Sequence, residues 1–328
     1  MKSINHTTVT DFIILGLSNN PMLQFPLFII FLLIYLVTLV GNTSIILLVF
    51  CDSCLHTPMY AFICNLSFID VCYSSVTLPK LLEIHLSQHK AISFTGCMAQ
   101  QYFLGTNAIA EYNTLAMMAF DRYVAICKPL HYTVIMTKRL CILLSGVSWT
   151  AGFLNLIPFT VLISRLSFCG SNVINHLLCD VKPLMQLSCS STHTLEIMIP
   201  VVTMLCGFCP SILICTSYVY IISAIFKIRS HEGRVRAFST CSSHLVIVCL
   251  FCGLMICTYI GPASMDSLEK DKVLAVLYTN VIPMLNPIIY SLRNREVKGA
   301  LKKIRDHLRS TIQQSCTLQN LPSSTVVI

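Results

Sequence analysis

Met118–Tyr132 reads MAFDRYVAICKPLHY. An acid and a base, Asp121 and Arg122, stand side by side where a long apolar run ends, and Tyr123 follows them. Ionised side chains are costly in hydrocarbon, so such a pair belongs at a membrane face or in a buried polar site. The run that leads into it, about Met98–Ile126, is long enough to cross a bilayer as one helix. Working outward, six more runs of this kind appear: about Phe25–Phe50, Pro58–Leu82, Leu140–Val161, Thr194–Ile228, Ala237–Ile260 and Val273–Leu292. Thr194–Ile228 is too long for a simple crossing and is expected to project beyond the membrane.

The composition leads the same way. Of 328 residues 55% are hydrophobic and 11% charged, where an ordinary soluble domain is about 25% charged. Backbone in lipid must satisfy its own hydrogen bonds, so seven such runs predict an all-α membrane protein, a seven-transmembrane helix bundle. The connections are short and leave no room for a soluble domain. The chain therefore divides into an N-terminal segment over 1–24, a bundle over 25–292 and a tail over 293–328.

Met1–Asn20 is mixed and polar, without the compact apolar core of a cleaved signal peptide, so the first span is expected to act as the anchor. Asn5-His6-Thr7 is a glycosylation sequon, which requires an N-terminus outside the cell. Asn42-Thr43-Ser44 and Asn65-Leu66-Ser67 also match, but both fall within spans and are expected to be unused. With this orientation the inner side collects Arg122, Lys128, Lys138, Arg139, Lys227, Arg229, Arg234 and Arg236, and the tail adds seven more Lys and Arg up to Arg309. The outer segments hold Lys2, Lys90, Arg165, Lys182, Lys270 and Lys272. The formal net charge of +8 thus reads as a positive-inside bias at a plasma membrane, with attraction to anionic lipids. The charges form no single basic face of the kind nucleic acid needs.

Of the 18 cysteines, many lie inside spans, where Cys behaves as a small apolar residue. Cys97, Cys169, Cys179 and Cys189 fall on the outer, oxidising side and allow three pairings. Four polar residues stand where hydrocarbon should be: Asn42, Asp70, Glu111 and Asn286. Such groups should face the bundle interior. Asp70 and Glu111 read either as members of a structural network or as a site for a sodium ion or a shared proton, since two nearby carboxylates repel. Beyond the last span, Val297, Leu301, Ile304 and Leu308 share one helical face among Lys298, Lys302, Lys303 and Arg305, the pattern of an interfacial amphipathic helix.

The strings taken together resemble the olfactory (odorant) receptors, a branch of the rhodopsin-like (class A) G protein-coupled receptors. That family shows MAYDRYVAICxPLHY, from which only Phe120 departs here. Pro58–Asp70 (PMYAFICNLSFID), Arg236–His244 (RAFSTCSSH) and Pro283–Asn294 (PMLNPIIYSLRN) resemble further family signatures, in family order. His176–Ser191 is similar to the family's long outer loop, and Thr10–Leu17 (TDFIILGL) to its start. The CWxP motif of other rhodopsin-like branches is absent. The resemblance covers nearly the whole chain.

It implies a receptor that binds a small, largely apolar odorant and activates a heterotrimeric G protein, of the stimulatory olfactory type that raises cyclic AMP. It implies bridges Cys97–Cys179 and Cys169–Cys189. The coupling and switch residues it points to are Asp121, Arg122, Tyr123, Tyr218, His244, Asn286, Pro287 and Tyr290, with Tyr218 and His244 as partners within reach of Arg122. Pro287 has a direct physical reading as well, because it removes a backbone donor and can kink the last span. Carried over by position, the ligand contacts are Leu104, Gly105, Ala108, Ile109, Val202, Cys206, Met255, Tyr259 and Thr279. Leu104 stands where amine receptors hold their counter-ion, so a charged amine is a poor fit. The family's FYG in the sixth span is Phe251-Cys252-Gly253 here, which removes a tyrosine. No enzyme motif of the HExxH or GxSxG kind is present and no cofactor is implied, apart from the sodium ion considered at Asp70 and Glu111. The alternative to a receptor is a transporter or channel, which also needs interior charge; no pair of broken helices or two-fold repeat supports it.

Overall fold

The computed structural model describes residues 9–87, 89–260, 267–293, 297–300 and 302–303. The chain is mostly helical. Helix α1 (Pro21–Cys51) starts where Asn20 accepts a hydrogen bond from Met22 N (3.0 Å) and Pro21 supplies a preset first turn. Next come α2 (Pro58–Ser87) and α3 (Phe94–Cys127), the latter capped by Ser93. A one-turn α4 (Tyr132–Ile135) precedes α5 (Lys138–Ser164), capped by Thr137. A short α6 (Val181–Leu187) precedes α7 (His193–Lys227) and α8 (His231–Ile260). The last long rod is built of α9 (Ser267–Val276), a π-helical turn over Leu277–Val281, and α10 (Ile282–Arg293).

Among the described residues, five helical segments are long and apolar enough to cross a membrane: α1, α2, α5, α7 and the α9–α10 rod over Glu269–Tyr290. The expected crossing in α3 does not reach that level of apolarity. The reason is location. Helix α3 touches α2, α5, α7 and α8, so much of its surface faces protein rather than lipid and can carry Gln, Asn, Thr and Glu. In α8 the charged residues gather in the first turns, and the described residues after them include the apolar stretch Cys241–Leu254.

The bundle buries polar groups within its apolar core and leaves large apolar side chains outside. Asn42, Asp70, Thr77, Thr106 and Thr114 have no exposed surface, whereas Leu33, Phe50, Met204, Phe208 and Phe226 are more than half exposed. In water that arrangement would be unstable; in lipid it costs nothing, because the surroundings are as apolar as leucine. Interhelical contact then rests on close approach and hydrogen bonds. A Cβ on Gly152 would stand 2.7 Å from Thr106 O, so α5 can lie against α3 only with glycine there. Trp149 Nε1 donates to Asn65 Oδ1 (3.0 Å) and Asn65 Nδ2 donates to Thr114 Oγ1 (2.9 Å), joining α5, α2 and α3. Asn42 Nδ2 donates to Thr38 O and Pro283 O, each at 3.0 Å. Both internal sequon asparagines are therefore structural; Asn5 lies outside the described residues.

One correction to the all-α expectation is a small sheet of order β2-β1-β3, made of β1 (Asp11–Ile14), β2 (Ala91–Ser93) and β3 (Val173–Ile174). Strand β1 is antiparallel to β2, pairing Phe12 with Ile92, and parallel to β3, pairing Ile14 with Ile174. Phe12 and Ile14 are fully buried against Phe168, Cys97 and Cys179. Two buried positions in four residues are too short a signal to read beforehand. At the turn after β1, Gly16 takes φ +78° beside the His85 ring, a conformation that favours glycine. Residues 297–300 and 302–303 are helical, and Lys303 Nζ pairs with Asp52 Oδ2 at 3.2 Å; Leu301, Ile304 and Leu308 of the expected amphipathic face lie outside the described residues.

Candidate functional site

Helix α3 begins at the sheet and runs about 50 Å to Cys127. Three sites lie along it. Nearest the sheet, a cavity of about 210 Å³ lies among α3, α5, α6, α7 and α8. Leu104, Gly105, Ala108, Ile109, Val202 and Cys206 all line it. Thr279 does not: it is fully buried, and its Oγ1 donates to Ala275 O (2.7 Å). The π-helical turn points its neighbour Tyr278 at the cavity instead. Met255 and Tyr259 lie outside the residues whose side chains are described.

Sequence reasoning missed Gln101, Tyr112, Leu156, Phe159, Leu178 and Phe251, which also line the cavity. Gln101, Leu104, Ala108 and Tyr112 form a stripe at helical spacing, a signal that could have added two of them. Leu156 and Phe159 share a face of α5, but which face meets α3 is decided by Gly152 and by Gly105, whose added Cβ would stand 2.6 Å from Leu156 Cδ1. Leu178 sits over the cavity because the next residue is tethered. Cys179 is bridged to Cys97 with Cα atoms 5.4 Å apart, and Cys179 N donates to Gln100 Oε1 (2.9 Å). Cys169 and Cys189 are bridged at a Cα separation of 5.7 Å.

Midway along α3 lies the polar core. Asn286 Nδ2 donates to both oxygens of Asp70, at 3.1 and 2.9 Å. Glu111 is 1% exposed, and neither of its oxygens has a partner among the described residues. The Asp70 and Glu111 carboxylates are close enough to interact electrostatically. Asn42 Oδ1 and Asn286 Oδ1 are likewise buried acceptors without a partner among the described residues. Carboxylate and amide oxygens are the donor set of a hard cation such as sodium, and they serve equally to share a proton. Pro287 seats against α1, where a Cβ on Gly41 would stand 2.9 Å from its Cγ. The Tyr290 hydroxyl is buried nearby without a partner among the described residues.

At the far end Asp121 is fully buried and holds Arg122, which donates from Nε (2.9 Å) and from Nη2 to Oδ2. Tyr132 Oη donates to the other oxygen, Oδ1, at 2.8 Å. Burial, and then the Asp121 carboxylate, push the Tyr132 phenol above its ordinary range, so it stays a donor. Tyr123 carries Lys128 Nζ 5.8 Å over its ring and leans on Tyr220. Tyr218 and His244 do not bond to Arg122 here. They bond to each other, Tyr218 Oη to His244 Nδ1 at 2.7 Å, while His244 Nε2 donates to Leu115 O at 3.0 Å. The carbonyl fixes the tautomer: Nε2 carries the proton and Nδ1 accepts from the phenol.

A lipid-facing bundle with a capped cavity at one end and a buried acid–arginine pair at the other has known counterparts. Residues 31–307 match the family described as olfactory receptor. The chain belongs to that family. Olfactory receptor 5AR1 of Mus musculus is 49% identical over 93% of this chain and 98% of its own length. Olfactory receptor 1F1 of Homo sapiens is 49% identical over 93% and 97%. Olfactory receptor 5B21 of Mus musculus is 51% identical over 92% and 94%. Among solved structures, squid rhodopsin superposes with a TM-score of 0.67 at 19% identity, covering 87% of this chain and 81% of its own. That likeness shows a rhodopsin-like fold. The olfactory receptor described here is thus a multi-pass membrane receptor and not an enzyme.

Proposed function

We propose that this olfactory receptor binds a small, largely apolar odorant in the cavity beside Leu104, Gly105, Ala108, Ile109, Val202 and Cys206, and passes that event along α3 to a heterotrimeric G protein of the stimulatory type that raises cyclic AMP. One observation carries the reading: a single helix presents both the cavity wall and the Asp121–Arg122 pair. An agonist that favours one packing of α5, α7 and α8 against α3 shifts the population toward it. Release of Arg122 from Asp121 then opens a G protein site at that end.

The chain crosses the plasma membrane seven times, with residues 1–24 outside and glycosylated at Asn5, and residues 293–328 in the cytoplasm. The sequon and the basic bias support this orientation. Asp70, Glu111 and Asn286 hold a sodium ion or a proton whose occupancy differs between resting and active packing. The unpartnered oxygens of Glu111 support it.

The test is a cyclic AMP reporter in cells displaying the full chain, screened with an odorant panel beside a solute-flux assay. An agonist-dependent signal without flux, lost in Arg122→Ala at equal surface level and with agonist still bound, is the expected result. Full efficacy from Arg122→Ala removes this coupling route, and flux without cyclic AMP marks a transporter or channel.

A further inference from the structure

We propose that Gln101 is the polar anchor of the odorant cavity and selects ligands that present a hydrogen-bond acceptor, the oxygen of an aldehyde, ketone or ester, over hydrocarbons of the same shape. The assignment rests on reading the cavity as the odorant site. Gln101 lines the cavity and is 3% exposed. Its Oε1 accepts from Thr160 Oγ1 at 3.0 Å. Its Nε2 has no hydrogen-bond partner among the described residues. The oxygen and nitrogen of the amide are assigned by this hydrogen bond. Thr160 therefore occupies the amide oxygen and leaves the N–H donors of this cavity-lining residue for a ligand.

Three other polar groups of the cavity are less suited to this role. Tyr112 Oη is held against Ser211 Oγ, and Asp180 Oδ1 accepts from Val181 N. The Thr203 hydroxyl can donate or accept, so it prefers neither kind of ligand. A ligand that displaces water from the cavity leaves an amide N–H without an acceptor unless it brings one; an oxygen does and a methylene does not. A site built to hydrogen-bond its ligand rejects analogues that lack the partner far more sharply than an apolar pocket rejects one methylene.

The experiment uses the full-length receptor with surface level measured in every sample. The probes are aldehydes, ketones and esters of six to ten carbons, each paired with the hydrocarbon of the same skeleton. The native chain should respond to the oxygenated member at concentrations at least about tenfold lower, a hydrogen-bond-sized difference. Gln101→Leu should erase that preference while leaving hydrocarbon responses equal or improved. Gln101→Met keeps the length and serves if the leucine form does not reach the surface. Thr160→Val, which frees the amide to turn, should give a smaller loss in the same direction. An undiminished preference in Gln101→Leu or Gln101→Met at normal surface level overturns the assignment and leaves the receptor reading standing. Silence to every probe from a well-displayed native receptor overturns the receptor reading, and the assignment falls with it.

Discussion

Tyr132 Oη lies 2.8 Å from Asp121 Oδ1, on the carboxylate oxygen that Arg122 leaves unused. Asp121 thus joins three groups: Tyr132 of α4 holds one oxygen of the acid whose other oxygen holds Arg122 of α3. We predict that Tyr132→Phe raises ligand-free signalling. A hydrogen bond to a charged group contributes about 1.5–3 kcal/mol, so the equilibrium should shift by about tenfold or more and basal signalling should rise accordingly. The measure is basal cyclic AMP normalised to surface receptor. An unchanged baseline would show that Tyr132 only packs.

The Cys97–Cys179 bridge holds Leu178 over the cavity. Loss of a native bridge costs a small secreted domain about 2–5 kcal/mol, and the same order is expected here. Cys97→Ala should therefore abolish surface display or agonist response. Normal signalling at normal surface level would count against any role for the bridge.

Asp70 and Glu111 should behave as one site. Neutralising either changes what the other can hold, so effects of Asp70→Asn and Glu111→Gln on agonist potency should not add in the double variant. A response to external sodium or pH should disappear with them. Strict additivity without ion sensitivity would leave a purely structural network.

His176 provides a pH prediction at the sheet end. It is buried, and its Nδ1 accepts from Leu178 N at 3.3 Å. Burial holds its pKa below the ordinary 6.5, an effect opposed by Asp180. The unfolded chain then binds more protons in the window below 6.5, so stability rises with pH there. The contribution is complete above about pH 6.5 and is lost as pH falls through the folded value. Thermal unfolding of purified receptor between pH 7.5 and 5 should show this decline, and His176→Gln should flatten it. An identical decline in that variant would place the titration elsewhere.

The sequence by itself determined the bundle of apolar helices and the residues on the interior stripe of α3. Long apolar runs admit few structures in lipid, and helical spacing places Leu104, Ala108 and Glu111 without further information. Some groups were adjacent to what the sequence displayed but undecided by it. Tyr132 stood in the first string read, yet eleven residues of chain gave no reason for its hydroxyl to return to Asp121. Tyr218 and His244 were visible as a pair, but their bond to each other rather than to Arg122 depends on how α7 meets α8.

Only the tertiary structure decided which side chains reach the cavity. The π-helical turn rotates Tyr278 inward and Thr279 away, an offset of one residue that spacing along the chain does not reveal. Four residues of β1 found partners some eighty and one hundred and sixty positions on. The Gln101 amide oxygen is occupied by Thr160, on another helix. In each case the deciding contact is long-range, and its energy exists only once the helices have met.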